Sequence, residues 1–158
     1  MWTIGHGTRS TEELATLLRD AGVDTLIDVR RYPAGRRQPH LSREALAESL
    51  PAQGLRYEWQ GEPLGGRRTA TPGAEERTGW RNPAFAAYAE HLKTPVARHA
   101  LERLEARAHA GERLALMCSE TVWWRCHRRL IADAVVCDGL EVVHLLDRAP
   151  GRPHRSRG

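Results

Sequence analysis

Along this chain, short apolar strands alternate with amphipathic helices that open on a capping residue and close on glycine. That alternation confines the fold to the α/β class. Trp2–His6 reads as a strand, and Ser10-Thr11-Glu12-Glu13 as a capping box opening a helix through Leu14, Leu17 and Leu18, with Gly22 ending it. Val23–Val29 has a nearly continuous apolar centre and reads as a second strand. Arg30–Leu41, broken by Pro33, Gly35 and Pro39, is irregular. Ser42 caps a helix that ends near Gly54, and Leu55–Trp59 is a third strand. Residues 60–81, rich in glycine and charge, form a long connection of the kind that is usually functional or mobile. Asn82-Pro83 and Thr94-Pro95 each start a helix by cap and first-turn proline. Arg113–Cys118 is a fourth strand, a helix follows around Arg125–Val136, and Leu140–Leu146 is a fifth strand.

The connections are long enough for parallel crossovers, so the expectation is a single three-layer, Rossmann-like domain over residues 1–147. Its mostly parallel five-stranded sheet is flanked by helices. The basic tail, 148–158, is expected to be disordered. With 158 residues, 41% of them hydrophobic, the chain needs neither disulfides nor metal to form a core. It holds no run of 18 apolar residues, and Met1–His6 lacks the features of a signal peptide, so no membrane association and a cytoplasmic setting are expected. Three cysteines, Cys118, Cys126 and Cys137, are too few for a disulfide scaffold, and reduced thiols follow from that setting.

Charge is distributed unevenly. The net charge is +4, yet residues 1–147 balance at twenty of each sign, because the tail from Arg148 holds four arginines and no acid. Val29–Arg43 holds five more arginines and no acid. Arginine forks match phosphate or carboxylate, which points to nucleic acid or a nucleotide as partner.

In open parallel sheets, ligands bind beyond the carboxyl ends of the strands. Here those ends carry Gly5-His6-Gly7, Asp28-Val29-Arg30 and Cys118-Ser119-Glu120, with Gly65 and Gly66 in the connection after the third strand. The segment from Cys118 to Arg129 adds Trp123, Trp124, Arg125, Cys126, His127 and Arg128 where a buried strand turns toward a helix N-terminus, a natural anion site. No dinucleotide fingerprint or P-loop is present, and no cofactor is expected.

Four matching pieces give the chain a family resemblance. They are Thr3-Ile4-Gly5-His6, Ile27-Asp28-Val29-Arg30, Leu64-Gly65-Gly66, and Cys118-x-Glu120 followed by Cys126-His127-Arg128. With these, spread over residues 3–146, the chain resembles the domain-of-unknown-function family 488. The resemblance implies a compact α/β fold and a shared site but no particular activity; relatives are expected to carry proline where Trp123 stands here.

The reading from residue types is an enzyme acting on nucleic acid or a nucleotide, most concretely by N-glycosidic bond hydrolysis. Glu120, Asp28 and His6 would share the proton and carboxylate roles. Arg30, Arg125, Arg128 and His127 would hold phosphate, Trp123 or Trp124 would stack on a base, and Gly65-Gly66 would admit close backbone approach. A competing reading is rhodanese-like or phosphatase-like thiol chemistry at Cys118, whose place beside arginines and a helix start favours a thiolate. A metal site is not expected, because Cys118 and Cys126 stand eight apart and Cys126 and His127 are adjacent. A non-enzymatic basic nucleic-acid-binding module would account for the arginine clusters alone.

Overall fold

The computed structural model describes residues 1–33, 35–147 and 151–155. Strands β1 (Trp2–Gly5), β2 (Thr25–Asp28), β3 (Arg56–Trp59), β4 (Leu114–Cys118), β5 (Val143–Leu145) and β6 (Arg152–Pro153) form one sheet in the order β3-β2-β4-β1-β5-β6. All neighbours are parallel except β5 and β6. The protein is an α/β domain of Rossmann-like, three-layer build.

Strand β4 shows why three layers are needed. Its five residues are all buried, and they alternate between two separate cores. Leu114, Leu116 and Cys118 pack with Tyr88, Leu101, Leu104, Leu130 and Ile131 from helices α5 (Pro83–Leu92), α6 (Pro95–His109) and α7 (Arg128–Cys137). Ala115 and Met117 pack with Leu14, Leu18, Leu46 and Leu50 from α1 (Thr11–Asp20) and α2 (Arg43–Ala52). A strand with no solvent face has no room for polar residues, which is why β4 reads Leu-Ala-Leu-Met-Cys.

The helix starts follow their local signals. Ser10 Oγ accepts from Glu13 N at 3.1 Å, Ser42 Oγ from Ala45 N at 3.2 Å, and Asn82 Oδ1 from Ala84 N at 2.9 Å. Each satisfies an N–H that the helix itself cannot.

Three expectations change. Residues 60–81 contain two short helices, α3 (Gly61–Leu64) and α4 (Ala74–Thr78), and Leu64 is fully buried. The Tyr88 hydroxyl donates to Leu64 O at 2.7 Å and anchors this connection to the core. The last helix starts at Arg128 rather than near Arg125; before it, Trp123–Arg125 makes a separate 3-10 turn, so β4 does not run directly into a helix. The tail boundary at 147 is also displaced. Arg152–Pro153 pairs antiparallel with β5 as a sixth strand, and His154 is buried beside it. The rest of that basic segment, 148–150 and 156–158, lies outside the described residues. Among the described residues no helix is long and apolar enough to cross a membrane.

Candidate functional site

Hydrogen bonds beyond the strand ends hold three of them in register. His6 N donates to Cys118 O at 2.9 Å and Val29 N donates to Met117 O at 3.0 Å. A cavity of about 310 Å³ opens at this edge, near the lower end for small-molecule sites. It is lined by His6, Arg30, Arg31, Tyr32, Gly35, Gln38, Leu41, Gly66, Arg67, Cys118, Ser119, Cys126 and His127. Among these are three arginines and neither aspartate nor glutamate. A concave surface lined by one sign of charge concentrates ions of the other, so Arg31 and Arg67, whose charges add to the Asp28-paired Arg30, make this lining suited to anions.

Arg30 is fixed before any ligand arrives. Its Nε and Nη2 donate to the two Asp28 carboxylate oxygens at 2.9 and 2.7 Å, and Nη2 also donates to Leu41 O at 2.8 Å. Nη1 donates to His6 Nε2 at 3.2 Å, which leaves the His6 proton on Nδ1, where it is donated to Gly7 O at 2.9 Å. Burial lowers the His6 pKa, so the ring is a neutral positioning element.

The floor of the pocket holds two thiols. Cys118 Sγ and Cys126 Sγ lie 2.8 Å apart, and the other neighbour of Cys126 Sγ is His127 Nδ1 at 3.4 Å. Cys126 stands immediately before His127, the N-cap of the ten-residue helix α7, where helical dipoles favour negative charge. A hydrogen bond from Cys118, then the bond and charge of His127 and the charge of Arg128, hold Cys126 well below the ordinary thiol range despite burial. Burial and that same bond push Cys118 up. The two thiols are thus pushed in opposite directions, Cys126 toward the thiolate and Cys118 toward the protonated form.

Gly66 and Tyr88 place the imidazole. A Cβ on Gly66 would sit 3.0 Å from His127 Nδ1, the nitrogen that faces Cys126, so any side chain there would press on this contact. Tyr88 meets the same imidazole in an edge arrangement at 4.9 Å between centroids.

Of the residues singled out in the sequence, His6, Arg30, Gly66, Cys118 and His127 line the cavity, and the others do not. Asp28 is fully buried, saturated by Arg30 and the Tyr57 hydroxyl, and acts as an internal ion-pair partner. Glu120 is exposed, and its Oε1 accepts from Val122 N at 3.2 Å to brace its own turn. Arg128 is 1% exposed; it donates to Thr3 Oγ1 at 3.2 Å and to the Glu120 carbonyl, so its charge supports the loop from below. Arg125 is exposed on the 3-10 turn. Trp123 stacks on His144 at 4.1 Å, with Trp124 edge-on to it on the outside. Gly65 packs against the Arg31 backbone and the Gly61 carbonyl.

Cys126, Arg31, Arg67, Tyr32, Gln38 and Ser119 join the lining without having been singled out as site residues. For Cys126 a signal existed: a second cysteine beside a helix start and inside the Cys126-His127-Arg128 motif, given no individual role but that of a metal ligand. Among the described residues no three His, Cys, Asp or Glu side chains come together as a metal-binding group.

The model of a family described as domain of unknown function DUF488 matches residues 10–135, most of the chain. No curated protein and no solved structure matches.

Proposed function

The chain belongs to the DUF488 family, and from that premise we propose that it is a cysteine-dependent enzyme transferring sulfur from a small anionic donor, with Cys126 as nucleophile. The observation that carries this is Cys126 Sγ, 2.8 Å from Cys118 Sγ, in a cavity whose described lining holds three arginines and no carboxylate. The thiolate attacks the outer sulfur of a sulfane donor such as thiosulfate. The sulfur–sulfur bond breaks, its electron pair leaves with sulfite, and Cys126 becomes a persulfide. Arg30, Arg31 and Arg67 offset the repulsion between thiolate and anion. Phosphate-ester cleavage fits less well, because an alkoxide leaving group wants a general acid. Among the described lining residues no carboxylic acid is available for that; Cys118 Sγ and His127 Nδ1 face Cys126 Sγ, and His6 already spends its proton on Gly7 O. Sulfite leaves without needing one.

The test is incubation with thiosulfate, followed by mass spectrometry of the intact protein. A persulfide on Cys126, removed by cyanide and missing from Cys126→Ser, supports the reading; an unchanged mass rejects it.

A second reading, N-glycosidic hydrolysis on a nucleotide or nucleic acid, is favoured by the pocket mouth. Tyr32 is 61% exposed there, with the exposed Arg36, Arg37 and Arg67 close by in sequence or in the lining. An exposed aromatic ring beside guanidinium groups suits a base and its phosphates. Oligonucleotides carrying modified bases distinguish the two. Abasic product from the unsubstituted chain, and no persulfide, would put the glycosidic reading first.

A further inference from the structure

We propose that Cys126 and Cys118 also form a peroxidatic and resolving pair, so that the pocket reduces small hydroperoxides and closes as a Cys118–Cys126 disulfide. The proposal shares the nucleophile of the sulfur-transfer reading but needs more: a second thiol placed to capture the oxidised first one.

Geometry supplies that second thiol. The two sulfurs face each other at 2.8 Å, outside the roughly 2.05 Å of a disulfide but with no side chain between them. Both line one cavity, so a hydroperoxide reaching Cys126 also arrives beside Cys118. Cys137 does not compete within the molecule. It lies at the far end of α7, roughly 14 Å along the helix axis from Arg128 at about 1.5 Å per residue.

The chemistry balances. The Cys126 thiolate attacks the distal oxygen of ROOH; the oxygen–oxygen bond breaks, RO⁻ leaves and takes a proton from solvent as ROH, and Cys126 becomes a sulfenic acid. Cys118 sulfur then attacks the Cys126 sulfur. The sulfur–oxygen bond breaks, and hydroxide leaves with the Cys118 proton as water. Two thiols and one hydroperoxide thus give one disulfide, one alcohol and one water. An external dithiol returns the pair to its reduced form.

Pocket composition favours the first step. A hydroperoxide is small and neutral, so it passes the arginine rim without needing a countercharge. The developing negative charge on the leaving oxygen falls in a cavity that carries Arg30, Arg31 and Arg67. Oxidation also consumes the nucleophile, so it silences whatever chemistry Cys126 performs.

The sequence makes the test unambiguous. Trypsin cuts after Arg113, Arg125 and Arg128, which puts Cys118 in Leu114–Arg125 and Cys126 in Cys126–Arg128. The reduced protein is treated with one equivalent of hydrogen peroxide, alkylated and digested without reductant. The expected product is these two peptides joined, with Cys137 alkylated, and the link disappears on treatment with dithiothreitol. In Cys118→Ser, dimedone should trap a sulfenic acid on Cys126 with no link formed, and in Cys126→Ser peroxide consumption should fall by at least about tenfold.

Accumulation of dimedone adduct on Cys126 of the unsubstituted protein, without the linked peptides, would overturn the resolving role. Links through Cys137, or three intact thiols, would overturn the proposal too. Iodoacetamide labelling separates this failure from that of the sulfur-transfer reading. Rapid labelling of Cys126 without a peroxide-induced link removes the pair and keeps the nucleophile, whereas an inert Cys126 removes both.

Discussion

Two clusters of titratable side chains lie on either side of the segment from Ser119 to His127. On one side, Cys118, Cys126 and His127 line an open cavity with Arg30. On the other, Thr3 Oγ1, His144, His154 and Asp133 form a chain of hydrogen bonds at 2.6, 2.9 and 2.8 Å, with the Trp123 ring laid flat on His144. Both clusters look functional by residue type. The second is closed: His144 and His154 are buried, each is bonded on both ring nitrogens, and the indole occupies the face a ligand would need. It fastens the last strand to the sheet. What distinguishes a candidate site from a structural network here is unoccupied volume beside a reactive atom.

The largest expected effect sharpens that contrast on the open side. Cys126→Ala should reduce persulfide formation and alkylation at the pocket to background, while His144→Phe leaves both within about threefold, read by mass spectrometry of the peptides. Next, Asp28→Ala strips the carboxylate from a guanidinium that is only 11% exposed. Such removal of one partner costs about 3–5 kcal/mol, measurable by denaturant unfolding. It should also slow Cys126 chemistry, because Arg30 and His6 lose their shared anchor.

The closed side has an acid signature. Burial, with the neighbouring charges of His154 and Arg128, lowers the His144 pKa to about 3. Below the ordinary histidine value of about 6.5, the unfolded chain takes up a proton that the folded chain refuses. Stability is therefore full above that pH and declines as pH falls toward 3. His6 and His91, lowered by burial, add in the same direction. Thermal unfolding across this range should show the decline, and His144→Phe should flatten it. The smallest effect is at Glu120. Its exposed carboxylate braces a turn, so Glu120→Gln should change stability by no more than about 0.5 kcal/mol and leave alkylation of Cys126 unchanged.

The fold was largely legible because its signals are local. Ser10, Ser42, Asn82 and Thr94 each cap the helix they precede, a continuous apolar run marks β4, and the apolar centre Leu26-Ile27 marks β2. The sixth strand was not, since Arg152–Pro153 carries no strand pattern and is held by its ladder to β5 and by His154. At the site, convergence of His6, Arg30 and Cys118 followed from strand order, a property of the sheet as a whole. Which charged residues face the cavity did not follow, because that depends on partners far away in sequence. Asp28 is absorbed by Arg30 and by Tyr57, which lies on the neighbouring strand β3. Arg128 is drawn under the loop by Thr3, 125 positions away. Arg67 reaches the mouth because residues 60–81 fold back on the core, with Arg31 Nη1 donating to Arg67 O at 3.0 Å. Cys126 was passed over because its spacing was weighed against a zinc knuckle alone, and pairing with Cys118 needs the turn between them.

If Cys126 is the thiolate of this open pocket, the pH dependence of its alkylation will show it. Peptide-resolved iodoacetamide rates would be measured from about pH 5 to 8, with exposed Cys137 as an internal reference. Cys126 should label at a rate nearly independent of pH, while Cys118, pushed toward its protonated form, stays largely unlabelled. A Cys126 rate climbing about tenfold per pH unit, as for a thiol titrating near 8.5, or labelling confined to Cys137, would contradict it.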